Sequence, residues 1–159
     1  MLPLLPRLTR FARALAGSQS DAEDLVQDAC VRALQAQHRF EPGTRMDSWM
    51  FRIVRNLYLN QIRAGRVRGE HLAIVDPDEL AHGTAQAAVE SRLVLDDTLA
   101  ALGRLPEEQR AVLLLVVVEG LSYADTAAVM ELPIGTVTSR LGRARLALRQ
   151  MTAPPAGDG

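Results

Sequence analysis

Two stretches of this chain, each where an apolar-periodic run begins, place a serine three residues ahead of an acidic residue: Ser20-Asp21-Ala22-Glu23 and Ser122-Tyr123-Ala124-Asp125. In such a capping box the hydroxyl and the carboxylate satisfy backbone N–H groups that the first helical turn leaves unpaired. Helix starts fixed this firmly in both halves, with apolar residues recurring at threes and fours around them, point to an all-α fold that needs no strand. Leu4, Leu8, Phe11 and Leu15 make one stripe that stops at Gly17. The helix opened at Ser20 turns Leu25, Ala29 and Ala33 inward and runs to about residue 37. A loop follows at Phe40-Glu41-Pro42-Gly43-Thr44. Asp47 or Ser48 can then cap a helix over 49–64, with Ile53, Leu57 and Ile62 inward and Trp49 at its start.

The second half has the same character. Leu95, Leu99 and Leu102 line one helix, and Pro106-Glu107-Glu108 opens the next with proline in the first turn and acids at the positive dipole end. The run Ala111–Val118 has the β-branched content of a buried strand. Its flanks decide otherwise: a start at Pro106 and a stop at Gly120 span about four helical turns, so it reads as a buried helix. The box at Ser122 opens a short helix to about Met130. A turn over 131–135 leads into a final helix from Thr136, with Val137, Leu141, Ala144 and Leu148 inward. A short helix, a tight turn and a longer helix make a helix-turn-helix.

Between the halves, residues 67–92 carry no sustained apolar period and contain Asp76-Pro77-Asp78 and His82-Gly83-Thr84. The expected plan is two small helical domains, 1–66 and 93–153, joined by a flexible linker over 67–92 and followed by a disordered tail over 154–159. A length of 159 residues has room for two domains only if both are very small.

Charge sets the functional problem. The chain balances 18 basic residues, all arginine, against 19 acidic ones, and a net charge of −1 speaks against a free-standing nucleic-acid binder. The sum hides an asymmetry: residues 1–66 hold ten arginines and six acids, net +4, whereas 67–92 are net −3 and 93–159 net −2. A single cysteine, Cys30, excludes an internal disulfide, and the three histidines lack metal-ligand spacing or a paired nucleophile. With no glycine-rich phosphate loop either, no catalysis, cofactor, metal or small-molecule substrate is expected. No apolar run is long enough to span a bilayer and no export signal is recognisable, so a cytoplasmic protein without membrane insertion is expected.

Three polar faces remain. On the final helix, Thr136, Thr138, Ser139, Arg140 and Arg143 face outward, where small hydroxyls permit close approach and arginine forks can bond guanine edges or phosphates. On the helix over 49–64, Arg52, Asn56, Asn60 and Arg63 share a face next to Trp49, a composition suited to single-stranded bases and equally to a solvated surface. On the second helix, Asp24, Gln27, Asp28 and Val31 form an outward stripe with a strong acidic component.

The order Asp21-Ala-Glu-Asp-Leu-Val-Gln-Asp28, Trp49-Met-Phe-Arg-Ile-Val-Arg-Asn56, Leu105-Pro-Glu-Glu-Gln-Arg110, Gly120-Leu-Ser-Tyr123 and Gly135-Thr-Val-Thr-Ser-Arg-Leu141 resembles the extracytoplasmic-function (group 4) sigma factors of bacterial RNA polymerase, over about residues 4–150. The resemblance implies a σ2 and a σ4 domain and an alternative sigma factor that directs core polymerase to promoters. It implies that Asp24, Gln27 and Asp28 bind the clamp helices of the polymerase β′ subunit. It gives promoter −10 reading and opening to Phe40, Arg45, Ser48, Trp49, Arg52 and Asn56, and −35 reading to Thr136, Thr138, Ser139, Arg140 and Arg143. Core polymerase (β′ clamp helices and β flap), promoter DNA and an anti-sigma factor are the implied partners. The family commonly has aspartate where Asn60 stands and more basic residues in σ4. Two rival readings stand beside it: a sigma-like decoy that sequesters an anti-sigma factor, which would be expected to lose Trp49, Asn56 and Arg140, and a polymerase-independent helix-turn-helix regulator, which gives Asp24, Gln27 and Asp28 no role.

Overall fold

A computed structural model describes residues 2–67 and 100–152. Of the linker expected over 67–92, residue 67 is still helical and residues 68–92 lie outside them, as do Leu95, Leu99 and the tail. Every regular element among the described residues is helical, as the capping signals and spacings require.

The first lobe is a three-helix unit. A 3-10 turn, Leu2–Leu4, leads into α1, Leu5–Ala16, which buries Leu8, Phe11 and Leu15 and stops at Gly17 with φ 89°, a conformation that costs glycine little. Helix α2, Gln19–Gln35, buries Leu25, Ala29 and Ala33 as expected, together with Ala22 and Val26. Its cap sits two residues earlier than the sequence suggests. Ser18, not Ser20, accepts the Asp21 backbone N–H at 3.1 Å, and its hydroxyl donates to the Asp21 carboxylate at 2.7 Å. Both serines stand ahead of an acid, and the extended backbone of Ser18 (φ −105°, ψ 153°) decides between them.

Helix α3, Met46–Val67, begins ahead of Asp47 and Ser48, so neither caps it. Its core residues also differ from expectation. Met50, Phe51 and Val54 are fully buried, whereas Ile53, Leu57 and Ile62 are half-buried. The helix is sandwiched between α1 and α2 on one side and the second lobe on the other, which rotates the deepest stripe away from the one a single-lobe reading selects. Phe51 meets Phe11 edge to face, with ring centroids 5.2 Å apart.

In the second lobe a helical segment over 100–104 turns at Leu105 into α4, Glu107–Leu113. Pro106 is the residue preceding the helix, with the acids directly after it. Arg110 is buried and closes this turn by donating to the Gly103 carbonyl at 3.2 Å and the Leu105 carbonyl at 3.4 Å. The expected four-turn helix then changes pitch: Leu114–Val118 is π-helical. Gly120, at φ 69°, completes the change of direction. Ser122 caps α5, Tyr123–Met130, by accepting the Asp125 N–H at 3.0 Å, as the second box predicts. Glu131 is left-handed (φ 54°), and the Leu132 N–H reaches the Ala127 carbonyl at 3.0 Å, a Schellman-type closure. Helix α6, Ile134–Thr152, then buries Val137, Leu141 and Ala144 against α4 and α5.

The lobes touch along two seams, α1 with α4 and α3 with α5, and their apolar side chains join in one cluster. At this interface Glu107 is held above the ordinary carboxylate range, first by burial and then by its neighbour Glu108, against the lowering effect of Arg55, Arg110 and Arg140. One of its oxygens has no hydrogen-bond partner. Burial likewise lowers the Arg110 guanidinium and raises the Tyr58 phenol.

Two measurements check these assignments. Ser122→Ala removes the α5 cap and is expected to cost about 1 kcal/mol in urea unfolding. Because the folded Glu107 holds its proton more tightly than the unfolded one, its ionisation lowers stability as pH rises from the unfolded value through the folded one. Glu107→Gln removes that penalty. Its melting temperature is expected to exceed wild type near neutral pH, with the gap closing on acidification toward the unfolded carboxylate value.

Candidate nucleic-acid interface

The outward face of α2 is the simplest. Asp24, Gln27 and Asp28 are exposed and make no side-chain hydrogen bond or ion pair among the described residues. Val31 and Leu34, also exposed, extend the face by a helical turn, so apolar and acidic surface lie side by side. The first lobe has no use for this face in folding, since its core residues occupy the opposite side of α2.

The second face is built around the start of α3. Thr44 accepts nothing from the helix. Instead its N–H (3.1 Å) and hydroxyl (2.6 Å) both donate to the Glu41 carbonyl and close the loop through Gly43 at φ 94°. Asp47 holds the next residues. It accepts the Ser48 N–H at 2.8 Å and both forks of Arg45, at 2.7 and 3.1 Å, and Arg7 reaches it from α1 at 3.3 Å. Burial would raise the Asp47 carboxyl, but these bonds outweigh it and hold the group below its ordinary value. Arg45 is raised in turn, chiefly by the Asp47 hydrogen bonds.

Beside this network lies a cavity of about 570 Å³. Arg39, Arg45 and Arg52 bring three guanidinium groups to it, Trp49 an aromatic wall and Ser48 a hydroxyl, which has no hydrogen-bond partner. Phe40 backs Trp49 from outside, with the rings 5.2 Å apart and tilted by 59°. Asn56 is not part of this cavity. It lines a neighbouring groove of about 360 Å³ with Arg32, Asn60 and Arg63. The face anticipated along α3 is therefore two adjoining concavities, one aromatic and cationic, the other amide-rich.

The third face is that of α6. Thr138, Ser139 and Arg143 are exposed and Thr136 is half-buried. The Thr138 hydroxyl donates back to the Ile134 carbonyl at 3.1 Å and the Ser139 hydroxyl to that of Thr136 at 3.4 Å, which keeps both side chains short and flat on the helix. Arg140 is not displayed with them. Its side chain is 20% exposed and paired with Glu108 at 2.8 Å, within the same lobe.

Several residues that matter to this surface were not read from the sequence as functional, Asp47 only as a candidate helix cap. Asp47 orders the Arg45 loop. Glu119 is buried between the lobes and paired with Arg7 and Arg10. Arg55 is buried within electrostatic reach of Glu107. Only the i, i+3 pair Arg7 and Arg10, flanking the buried stripe of α1, offered a signal. Among the described residues no His, Cys, Asp or Glu cluster could hold a metal ion, and no helix is long and apolar enough to cross a membrane.

Residues 2–68 match the family described as Sigma-70 region 2, and residues 95–148 that described as Sigma-70, region 4. The chain is 37% identical over 145 residues to the ECF RNA polymerase sigma factor EcfG of Rhodopseudomonas palustris, a span of 91% of this chain and 78% of that protein. It is 37% identical over 153 residues to the ECF sigma factor SigE of Mycolicibacterium smegmatis, covering 92% of this chain and 58% of that relative. In fold it is similar to the sigma factor RpoE of Bartonella quintana, solved in complex with the anti-sigma factor NepR. That TM-score is 0.79, at 34% identity and covering 94% of this chain and 92% of the other. With two helical lobes matching regions 2 and 4 in order, and relatives aligned along nearly its whole length, the chain belongs to the extracytoplasmic-function sigma factors of bacterial RNA polymerase.

Proposed function

We propose that this alternative sigma factor docks on core polymerase through the Asp24, Gln27 and Asp28 face of α2, with the clamp helices of β′ as its target. The second lobe is assigned to the β flap. Promoter −10 DNA is read and held open at the Arg45, Ser48, Trp49 and Arg52 cavity, with Phe40 supporting Trp49 and Asn56 reading from the adjoining groove. The −35 element is read by Thr136, Thr138, Ser139, Arg140 and Arg143 on α6. The single observation that carries this reading is the cavity beside α3, where three arginines and one tryptophan converge. Guanidinium groups suit a phosphate backbone and an indole face suits an unstacked base, a pairing that duplex DNA cannot use. Base capture there offsets an unstacking cost of a few kcal/mol.

In this reading polymerase performs the phosphoryl transfer, the chain itself catalyses nothing, and it works in the cytoplasm where polymerase is. An anti-sigma factor is proposed as a regulator, supported by the relative solved with NepR.

The docking face can be tested apart from DNA. Asp24→Arg with Asp28→Arg changes two exposed side chains and is expected to leave the melting temperature unchanged. It should abolish co-purification with core polymerase and all promoter-dependent run-off product. Retained co-purification would overturn the docking assignment. Trp49→Ala should keep polymerase binding and lower open-complex formation by roughly ten- to hundredfold, the equivalent of about 1–3 kcal/mol of lost stacking.

A further inference from the structure

One strong interaction serves neither polymerase docking nor promoter reading. The π-helical turn Leu114–Val118 and the left-handed Gly120 aim Glu119 out of the second lobe and at α1. The Glu119 side chain is 1% exposed. One carboxylate oxygen accepts Arg7 Nε at 2.7 Å, the other accepts Arg10 at 2.7 Å, and Arg7 also donates to the Glu119 carbonyl at 3.1 Å. Both partners belong to the other lobe, more than one hundred positions away in sequence. A carboxylate needed only to fold its own lobe would find its cations there. Irregular π turns of this kind often mark functional positions.

A second bridge crosses at the cavity itself. Arg45 reaches Asp125 of α5 at 3.3 Å, and Asp125, Ala128 and Val129 form the second lobe's part of the cavity wall, the first lobe's being completed by Glu41, Gly43 and Thr44. A carboxylate on Arg45 occupies the place that a DNA phosphate would take on the same guanidinium. Closed lobes and a single DNA strand therefore compete for one set of arginines.

We propose that Glu119, clasped by Arg7 and Arg10, is an intramolecular latch that holds α5 over the Arg45 and Trp49 cavity and keeps the free chain from taking single-stranded DNA. The proposal rests on the strand-capture reading of that cavity given above. DNA that binds only the open form has its apparent affinity reduced by the fraction of molecules that are open. Whatever separates the lobes uncovers the cavity and returns Arg45 to the nucleic acid.

The test uses the full chain. Spin labels at Glu23→Cys and Arg145→Cys, in a Cys30→Ser background, report the distance between lobes. Glu119→Gln weakens the latch from one side and Arg10→Glu from the other, so that one misfolded variant does not decide the matter. Asp21→Asn, an exposed site on α2 outside both concavities and with the same charge change as Glu119→Gln, is the control. The latched chain should give one narrow distance distribution, shared by the control, and both latch variants should broaden it to longer distances. By anisotropy, a labelled single-stranded oligonucleotide of about 12 residues should bind the Glu119→Gln chain roughly tenfold more tightly than the control. Unchanged distances in both variants overturn the latch. Longer distances with no gain in oligonucleotide affinity overturn its masking role and reduce Glu119 to a brace. A gain that survives added Trp49→Ala leaves the latch standing and overturns the strand-capture reading of the cavity.

Discussion

The Glu119 carboxylate lies between the two lobes with almost no access to water, and its demand for cations organises much of the molecule. Desolvating an ion costs several kcal/mol, and removing one partner of a buried pair typically costs about 3–5 kcal/mol because the other charge is left buried and unpaired. Arg7 and Arg10 answer that demand from α1. Arg7 is in turn fixed over the Phe51 ring, 5.4 Å from its centroid, and bonded to Asp47. Asp47 holds Arg45, and Arg45 returns to the second lobe at Asp125. A continuous run of ion pairs thus leaves the second lobe at Glu119, passes through α1 and the start of α3, and re-enters at α5. The conformation of the loop before α3, on which the cavity depends, is set by this circuit as much as by its own turn.

The same circuit explains how a chain of net charge −1 can contact DNA. The first lobe's excess of +4 is met within the molecule by acids of the second. Glu119 and Asp125 cover arginines that would otherwise form a permanently basic surface and bind nucleic acid without selectivity, in the salt-dependent manner of any polycation. Sequence charge counted by region anticipates the imbalance, but only the structure locates the carboxylates that answer it.

The helical fold was legible because its signals are local. Ser122 capping, the stop at Gly17, the stripe Leu8, Phe11, Leu15 and the turn into α6 depend on residues within a few positions of one another. What sequence could not reveal depends on contacts between lobes. Ser18 and Ser20 are equivalent as caps until backbone direction chooses. Met50, Phe51 and Val54 displace Ile53 and Leu57 from the core because α3 is covered on two sides. Arg55, Arg110 and Glu119 sit where periodicity expects exposed polar residues, and each is buried by a partner distant in the chain or by a turn that spacing alone does not define. The three candidate faces were all legible as residue sets. Their grouping was not: Trp49 and Asn56 line different concavities, and Arg140 is turned to Glu108.

That last pair separates the two DNA-reading tasks energetically. Glu108 is half-exposed, and an ion pair open to water on one side is worth about 0–1 kcal/mol. A bidentate arginine contact to a guanine edge is worth about 1–3 kcal/mol of discrimination. Exchanging Glu108 for a base edge therefore favours DNA and stays within one lobe, so in the proposed reading Arg140 can engage duplex DNA without moving α1 or α3. Arg45 has no such freedom. Its exchange of Asp125 for a phosphate uncovers the cavity only if α5 withdraws, and α5 is held by the same lobe interface as the buried Glu119. In the proposed reading, duplex recognition by α6 is thus the low-cost contact and strand capture beside Trp49 the high-cost one, an order that follows from which carboxylate each arginine must leave.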